Sequence, residues 1–199
     1  MTHTRPSRKS RRLLALCAAL SLVAAANSAI ASVQMFIQDF SGWQDAAGAY
    51  STCDFTGFAP NTFITDQYAA LGVNFTNVGP NVVTFPTWDL FPQDSAGIDG
   101  NNGIILAFDQ PIHAIGQHGP GAWRFRLYSG GQQFFVSSWW TGATNGYSGL
   151  YSDVAFDGVY IESPGDDVYS DNIYFSTIPA PGAIALAALS GLPARRRRR

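Results

Sequence analysis

From Trp123 to Tyr128 the chain alternates, with Trp123, Phe125 and Leu127 apolar and Arg124, Arg126 and Tyr128 between them. That period of two predicts a β-strand with one buried face. Shorter runs predict further strands: MFIQDF at 35–40, CDFTGF at 53–58, GVNFTNV at 72–78, NVVTF at 81–85 and GIILAF at 103–108. To these are added PIHAIGQ at 111–117, QFFVSSWW at 133–140, DGVYIES at 157–163 and DNIYFST at 171–177. Turn-forming residues separate many of them, notably Asp99-Gly100-Asn101-Asn102-Gly103, Gly130-Gly131 and Ser163-Pro164-Gly165-Asp166-Asp167. Roughly nine or ten short strands at such spacings predict an all-β fold, an antiparallel β-sandwich of jelly-roll-like form. Helical periodicity is nearly absent from this body. The one hint is TDQYAALG at 65–72, where Tyr68 and Leu71 share a face of a turn closed by Gly72.

Both ends break the pattern. Arg5, Arg8, Lys9, Arg11 and Arg12 precede an apolar run from Leu13 to Ala26, and Ala29-Ile30-Ala31 then fits an A-x-A cleavage site. These are the parts of a secretory signal helix, residues 1–31, cut by signal peptidase so that Ser32 begins the mature chain. No small residue directly precedes Cys17, which argues against lipoprotein processing. At the other end, residues 178–194 carry no charge and Arg195, Arg196, Arg197, Arg198 and Arg199 follow at once. Such a segment predicts a short hydrophobic helix that only just reaches across a bilayer, with the arginines as a cytoplasmic stop. The chain thus divides into a signal peptide (1–31), an extracellular β-sandwich (32–177) and a sorting or anchor tail (178–199).

Removing the ends changes the charge. The whole chain carries a formal −2, yet only Arg124 and Arg126 of its 12 basic residues lie in the body, against all 14 acids, a balance of −12. A surface of that sign repels phosphate backbones and argues against a nucleic-acid partner. Cys53 is the one cysteine left after processing, so the mature chain forms no internal disulfide.

The tail PAPGAIALAALSGLPARRRRR, from Pro179, Ala180, Pro181 and Gly182 to the arginines, resembles the PEP-CTERM sorting signal. Ala180 stands where that motif has glutamate. The resemblance implies an exported bacterial protein of the cell envelope or outer surface, processed near Pro179–Gly182 by an exosortase-like membrane enzyme. The phrases at 54–77, 104–116, 125–132 and 171–175 are similar to uncharacterised extracellular domains that accompany such tails. That likeness implies a jelly-roll sandwich shaped like carbohydrate-binding modules.

Catalytic patterns are weak. His113 and His118, five apart on one predicted strand, point to opposite faces. GYSGL at 146–150 is one residue short of G-x-S-x-G, and Cys53 sits in an apolar run where a small core residue is expected. Aspartates and turn carbonyls suit a structural Ca²⁺, and Asp54 with Asp171 and Asn172 forms the candidate set. Sugar binding needs an exposed aromatic platform, for which the candidates are Trp139 and Trp140, one of which must face outward in a regular strand, together with Trp88, Tyr128 or Tyr147. The residues thus point to a non-catalytic surface or matrix protein that binds polysaccharide. A structural component without ligand and a glycan-active enzyme using paired aspartates are the alternatives.

Overall fold

The structure, a computed structural model, describes residues 31–76, 81–83, 97–141, 146–165 and 167–178. The predicted signal helix with Ala29, the platform candidate Trp88, and the tail from Pro179 to Arg199 lie outside the described residues. Everything below belongs to the compact unit that begins at Ser32.

The fold is an all-β sandwich of antiparallel strands. In chain order these are β1 (Val33–Ile37), β2 (Ser51–Cys53), β3 (Val73–Thr76), β4 (Asn81–Val83), β5 (Ile98–Asn101) and β6 (Ile104–Gly119). Then come β7 (Ala122–Ser129), β8 (Gln132–Val136), β9 (Trp140–Thr141), β10 (Gly146–Glu162), β11 (Asp167–Ser170) and β12 (Ile173–Ser176). Among the described residues an α-helix, α1 (Phe40–Ala47), follows β1.

Two long strands, β6 and β10, run through both layers. Their first pairing, Gly146↔Gly119 to Tyr151↔Ala114, lies in a layer completed by β1 on one side and by β12 and β2 on the other. Their second, Gly158↔Ala107 to Ile161↔Ile104, lies in a layer with β3, β7 and β8. The turn between layers comes from two register shifts around Phe156↔Ile112. Residues 108–111 of β6 stand opposite residue 157, and residues 152–155 of β10 stand opposite residue 113. Extra residues placed first on one strand and then on the other bend the pair out of one sheet and into the next. A smaller sheet, β11-β5-β4, completes the unit.

Several expected boundaries are corrected. The runs at 103–108 and 111–117 are one strand, because the exposed Asp109, Gln110 and Pro111 form the bulge and proline needs no ladder donor there. The run at 157–163 is the end of β10, whose beginning is rich in Gly, Ser and Tyr and carries no alternation signal. Asp99–Asn101, expected as a turn, belongs to β5, and the reversal falls on Asn102 (φ 63°) and Gly103 (φ 99°). Part of the run at 163–167, expected as a turn, opens β11. The run at 53–58 keeps only Cys53 in β2. MFIQDF leaves the strand after Ile37, since Asp39 caps α1 by accepting from the Gly42 N–H at 2.9 Å. At 65–72 the helical hint becomes a single tight turn over Ala69–Leu71, ended by Gly72 in the left-handed region.

Alternation along β6, β10 and β12 sends side chains to two cores. The larger fills the sandwich, with Ile115, Leu150, Ile173 and Phe175 from one layer against Leu106, Phe125, Leu127 and Val159 from the other. The smaller lies on the outer side, where α1 covers Ala114, Tyr147 and Tyr174 with Trp43 and Ala47. Trp43 is wholly buried and donates its indole N–H to the Leu150 carbonyl at 3.1 Å.

His118 joins this second core, its ring 5.0 Å from Tyr147 and 5.2 Å from Phe40, with Nδ1 3.0 Å from the Tyr174 hydroxyl. Burial lowers its pKa from 6.5, because the apolar surround disfavours the cation. On acidification the unfolded chain therefore binds this proton first, so the contribution of His118 to stability is present above about pH 6.5 and lost as pH falls through the lower folded value. Urea unfolding between pH 7.5 and 5 is expected to show a loss of stability that shrinks in His118→Phe. Equal slopes for the two proteins would refute this assignment.

Candidate functional site

β7 keeps the alternation read from its residues. Trp123, Phe125 and Leu127 are buried while Arg124, Arg126 and Tyr128 face outward. Opposite them, Glu162 is the Cα partner of Arg124 and Tyr160 that of Arg126. Both guanidiniums close on one oxygen, Oε1 of Glu162. Nε of Arg124 donates to it, and Nη2 of Arg126 donates at 2.9 Å. The two cations of the body are thus gathered on its lone glutamate, which is 8% exposed. Its attraction, chiefly through the hydrogen bond, raises the pKa of Arg126 further above the ordinary value.

The expected single strand at 133–140 is broken. Val136 pairs with Arg126 and Trp140 pairs with Trp123, so residues 137–139 stand opposite only residues 124 and 125. That extra residue is a bulge held by Ser137, whose backbone N–H donates to the Phe125 carbonyl at 2.9 Å while its hydroxyl accepts from the Phe125 N–H at 3.0 Å. The bulge reverses the facing of the two tryptophans. Strict alternation from Phe135, which packs against the core, would bury Trp139 and expose Trp140. Instead Trp140 is 9% exposed and packs on Trp123 with ring centroids 4.2 Å apart, while Trp139 is 43% exposed.

Arg124 fixes the outward ring: its guanidinium carbon lies 4.2 Å from the Trp139 centroid. Trp139 and Trp140 together help line a groove of about 470 Å³ between β1 and β8–β9, walled by Met35, Ile37 and Val136. Ile37 and Val136 are exposed at its rim. A largely apolar trough with a rigid indole at its mouth offers a stacking surface to the C–H face of a pyranose or to another flat apolar group.

The remaining candidates are dispersed. Ser148 of GYSGL lies inside β10, fully buried and accepting from the Trp123 indole N–H at 2.7 Å, so it has neither the turn nor the exposure of a nucleophile elbow. Cys53 is buried in the core, and burial first, then the Asp54 carboxylate, pushes its thiol away from the reactive thiolate. His113 and His118 turn to different partners, the Ser152 carbonyl and Tyr174.

The antiparallel register Ser51↔Phe175 to Cys53↔Ile173 brings Asp54 to the same end of the strand pair as Asp171 and Asn172. Asp54 accepts from the Thr56 N–H at 3.2 Å and lies 3.5 Å from the Tyr68 hydroxyl, while Asp171 and Asn172 are buried. Among the described residues no three or more His, Cys, Asp or Glu side chains are grouped to hold a metal ion. Among them, too, no helix is long and apolar enough to cross a membrane.

What composition and spacing did not reveal is the clamp of Glu162 on both arginines, and the part of Tyr160 beside it. The available signal was that the lone glutamate and the body's two cations fall in the clearest strand phrases, WRFRLY and DGVYIES. No protein-family model matches the chain, and no curated protein matches it.

Proposed function

We propose that this is an exported, envelope-associated surface or matrix protein that acts without catalysis and binds polysaccharide through the Trp139 groove. The supporting observation is the exposed Trp139 ring, braced by Arg124 at the mouth of an apolar trough. The bracing matters because a ring already immobilised loses little entropy when a sugar stacks on it. The acidic balance of the body fits a glycan better than a nucleic acid.

Export and retention rest on the two ends. Signal peptidase would free Ser32, and an exosortase-like enzyme reading Pro179–Gly182 would process the tail while Arg195–Arg199 hold its end in the cytoplasm. Replacing the five arginines by serine is expected to shift the protein from the envelope into the medium or into degradation. Unchanged fractionation would remove the sorting role of the tail.

The binding role is tested on a glycan array carrying neutral and acidic polysaccharides. Trp139→Ala, which leaves the buried Trp140 in place, is expected to weaken binding of the hits about tenfold. A folded protein that binds no glycan would instead have the purely structural role.

A further inference from the structure

A second aromatic surface lies on the outer face of the β7–β10–β6 layer. There Tyr128 is the Cα partner of Gly158 and Gly158 that of Ala107, while Tyr160 is the partner of Arg126 and of Ile105. Because Gly158 has no side chain and Ala107 only a methyl, the sheet is hollowed between the two tyrosines. The slot measures about 330 Å³, with Ile105 on its floor and Asp157 at its edge. Both rings are held by their hydroxyls, Tyr160 donating to the Asn102 carbonyl at 2.9 Å and Tyr128 lying 3.4 Å from Oε1 of Gln133. A filled position at 158 would close the slot, since even a Cβ there would sit 3.2 Å from that of Tyr128.

Charges of both signs border the slot: the Asp157 carboxylate lines it, and Arg126 lies beside Tyr160. Arg124 and Arg126 share the single carboxylate of Glu162, so the triad keeps one net positive charge in a body that is otherwise acidic. Each arginine engages Glu162 through one nitrogen and not as a two-pronged fork; Nε of Arg126 is buried and its Nη1 donates to Oε1 of Gln133 at 3.4 Å, so the second N–H of each terminal nitrogen of Arg126 is what a further acceptor would meet. The Arg126 guanidinium carbon lies 6.0 Å from the Tyr160 ring centroid. A ring held between Tyr128 and Tyr160 therefore lies beside Arg126, the neighbour of Tyr128 on the outward face of β7.

We propose that this slot binds a carboxylate-bearing pyranose, a uronic-acid residue of a polysaccharide, stacked between Tyr128 and Tyr160 with its carboxylate on Arg126. A neutral sugar would use the rings and leave the surplus cation unused. The inference rests on the glycan-binding reading above and adds to it a second site with its own chemistry.

Titration calorimetry of the full-length protein with tri-galacturonate and with its methyl ester isolates the charge, since the two differ only at the carboxyl. The free acid is expected to bind about tenfold more tightly than the ester. Arg126→Gln should erase that preference, and Tyr128→Ala should weaken both ligands several-fold, each variant keeping its melting temperature within a few degrees. Trp139→Ala should leave the preference intact.

Equal affinity for acid and ester would overturn the proposal while leaving glycan binding in place. So would loss of tri-galacturonate binding in Trp139→Ala but not in Tyr128→Ala, or binding of neutral glycans alone. Failure of every glycan would overturn both readings.

Discussion

Trp43→Ala is expected to lower the unfolding free energy by about 3–5 kcal/mol. The indole is wholly buried, and its ring centroid lies 5.4 Å from that of Tyr50, 5.9 Å from Tyr174 and 6.0 Å from Phe40. It is the central side chain by which an eight-residue helix is attached to the sheet. A helix that short has little stability of its own, so its docking depends on this face. In a domain of this size such a loss corresponds to a fall in melting temperature of roughly 10 °C. Trp43→Phe, which keeps a ring but leaves the Leu150 carbonyl without the indole donor, should fall between the two. A Trp43→Ala melting curve superimposed on that of the parent protein would show that α1 does not contribute to the cooperative unit.

The second large effect concerns a pair of glycines. Gly149 and Gly116 are Cα partners across β10 and β6, and the Tyr147 hydroxyl lies over both. A Cβ at Gly149 would collide with that hydroxyl and stand 2.7 Å from Cδ1 of Trp43. Gly149→Ala should therefore cost about 1–3 kcal/mol by overpacking.

Among the described residues the buried Tyr147 hydroxyl has no hydrogen-bond partner, and burial, foremost, raises its pKa well above the ordinary tyrosine value. Tyr147→Phe removes a polar group that has lost water without compensation and should be neutral or stabilising by about 1 kcal/mol. It also removes the first atom that a methyl added at position 149 meets. The double variant Tyr147→Phe/Gly149→Ala is then expected to be more stable than the sum of the single changes, a coupling readable from four denaturation curves. Strict additivity would mean that the clash is relieved elsewhere.

These two predictions rest on residues whose importance alternation does not disclose. Trp43 and Ala47 mark one face of α1 at a four-residue spacing, but eight residues hold too few repeats for the period to stand out beside the strand-like MFIQDF. Asp39 ahead of Phe40 was the available start signal, a cap where a strand residue was expected. Gly116 and Gly149 read as poor strand formers and become intelligible only when their register places one opposite the other beneath Tyr147.

By itself the sequence determined the class of fold and the distribution of charge. Alternation in WRFRLY, β-rich runs and frequent turn residues are local properties, and a half-buried antiparallel strand obeys them residue by residue. Segregation of the basic residues to the two ends is likewise plain from their positions and isolates an acidic body. Tertiary structure decided what local period cannot carry, namely phase and partnership. One extra residue at 137–139 turns Trp139 out and Trp140 in, and bulges at 108–111 and 152–155 carry β6 and β10 from one layer into the other. The pairing of β7 with β10 sets Glu162 under two arginines that lie 36 and 38 residues away along the chain. A shift of one residue in a strand exchanges its buried and exposed faces. The side chains available to a ligand are therefore set by register, through contacts distant in the chain, whereas the choice of strand over helix is written in near neighbours.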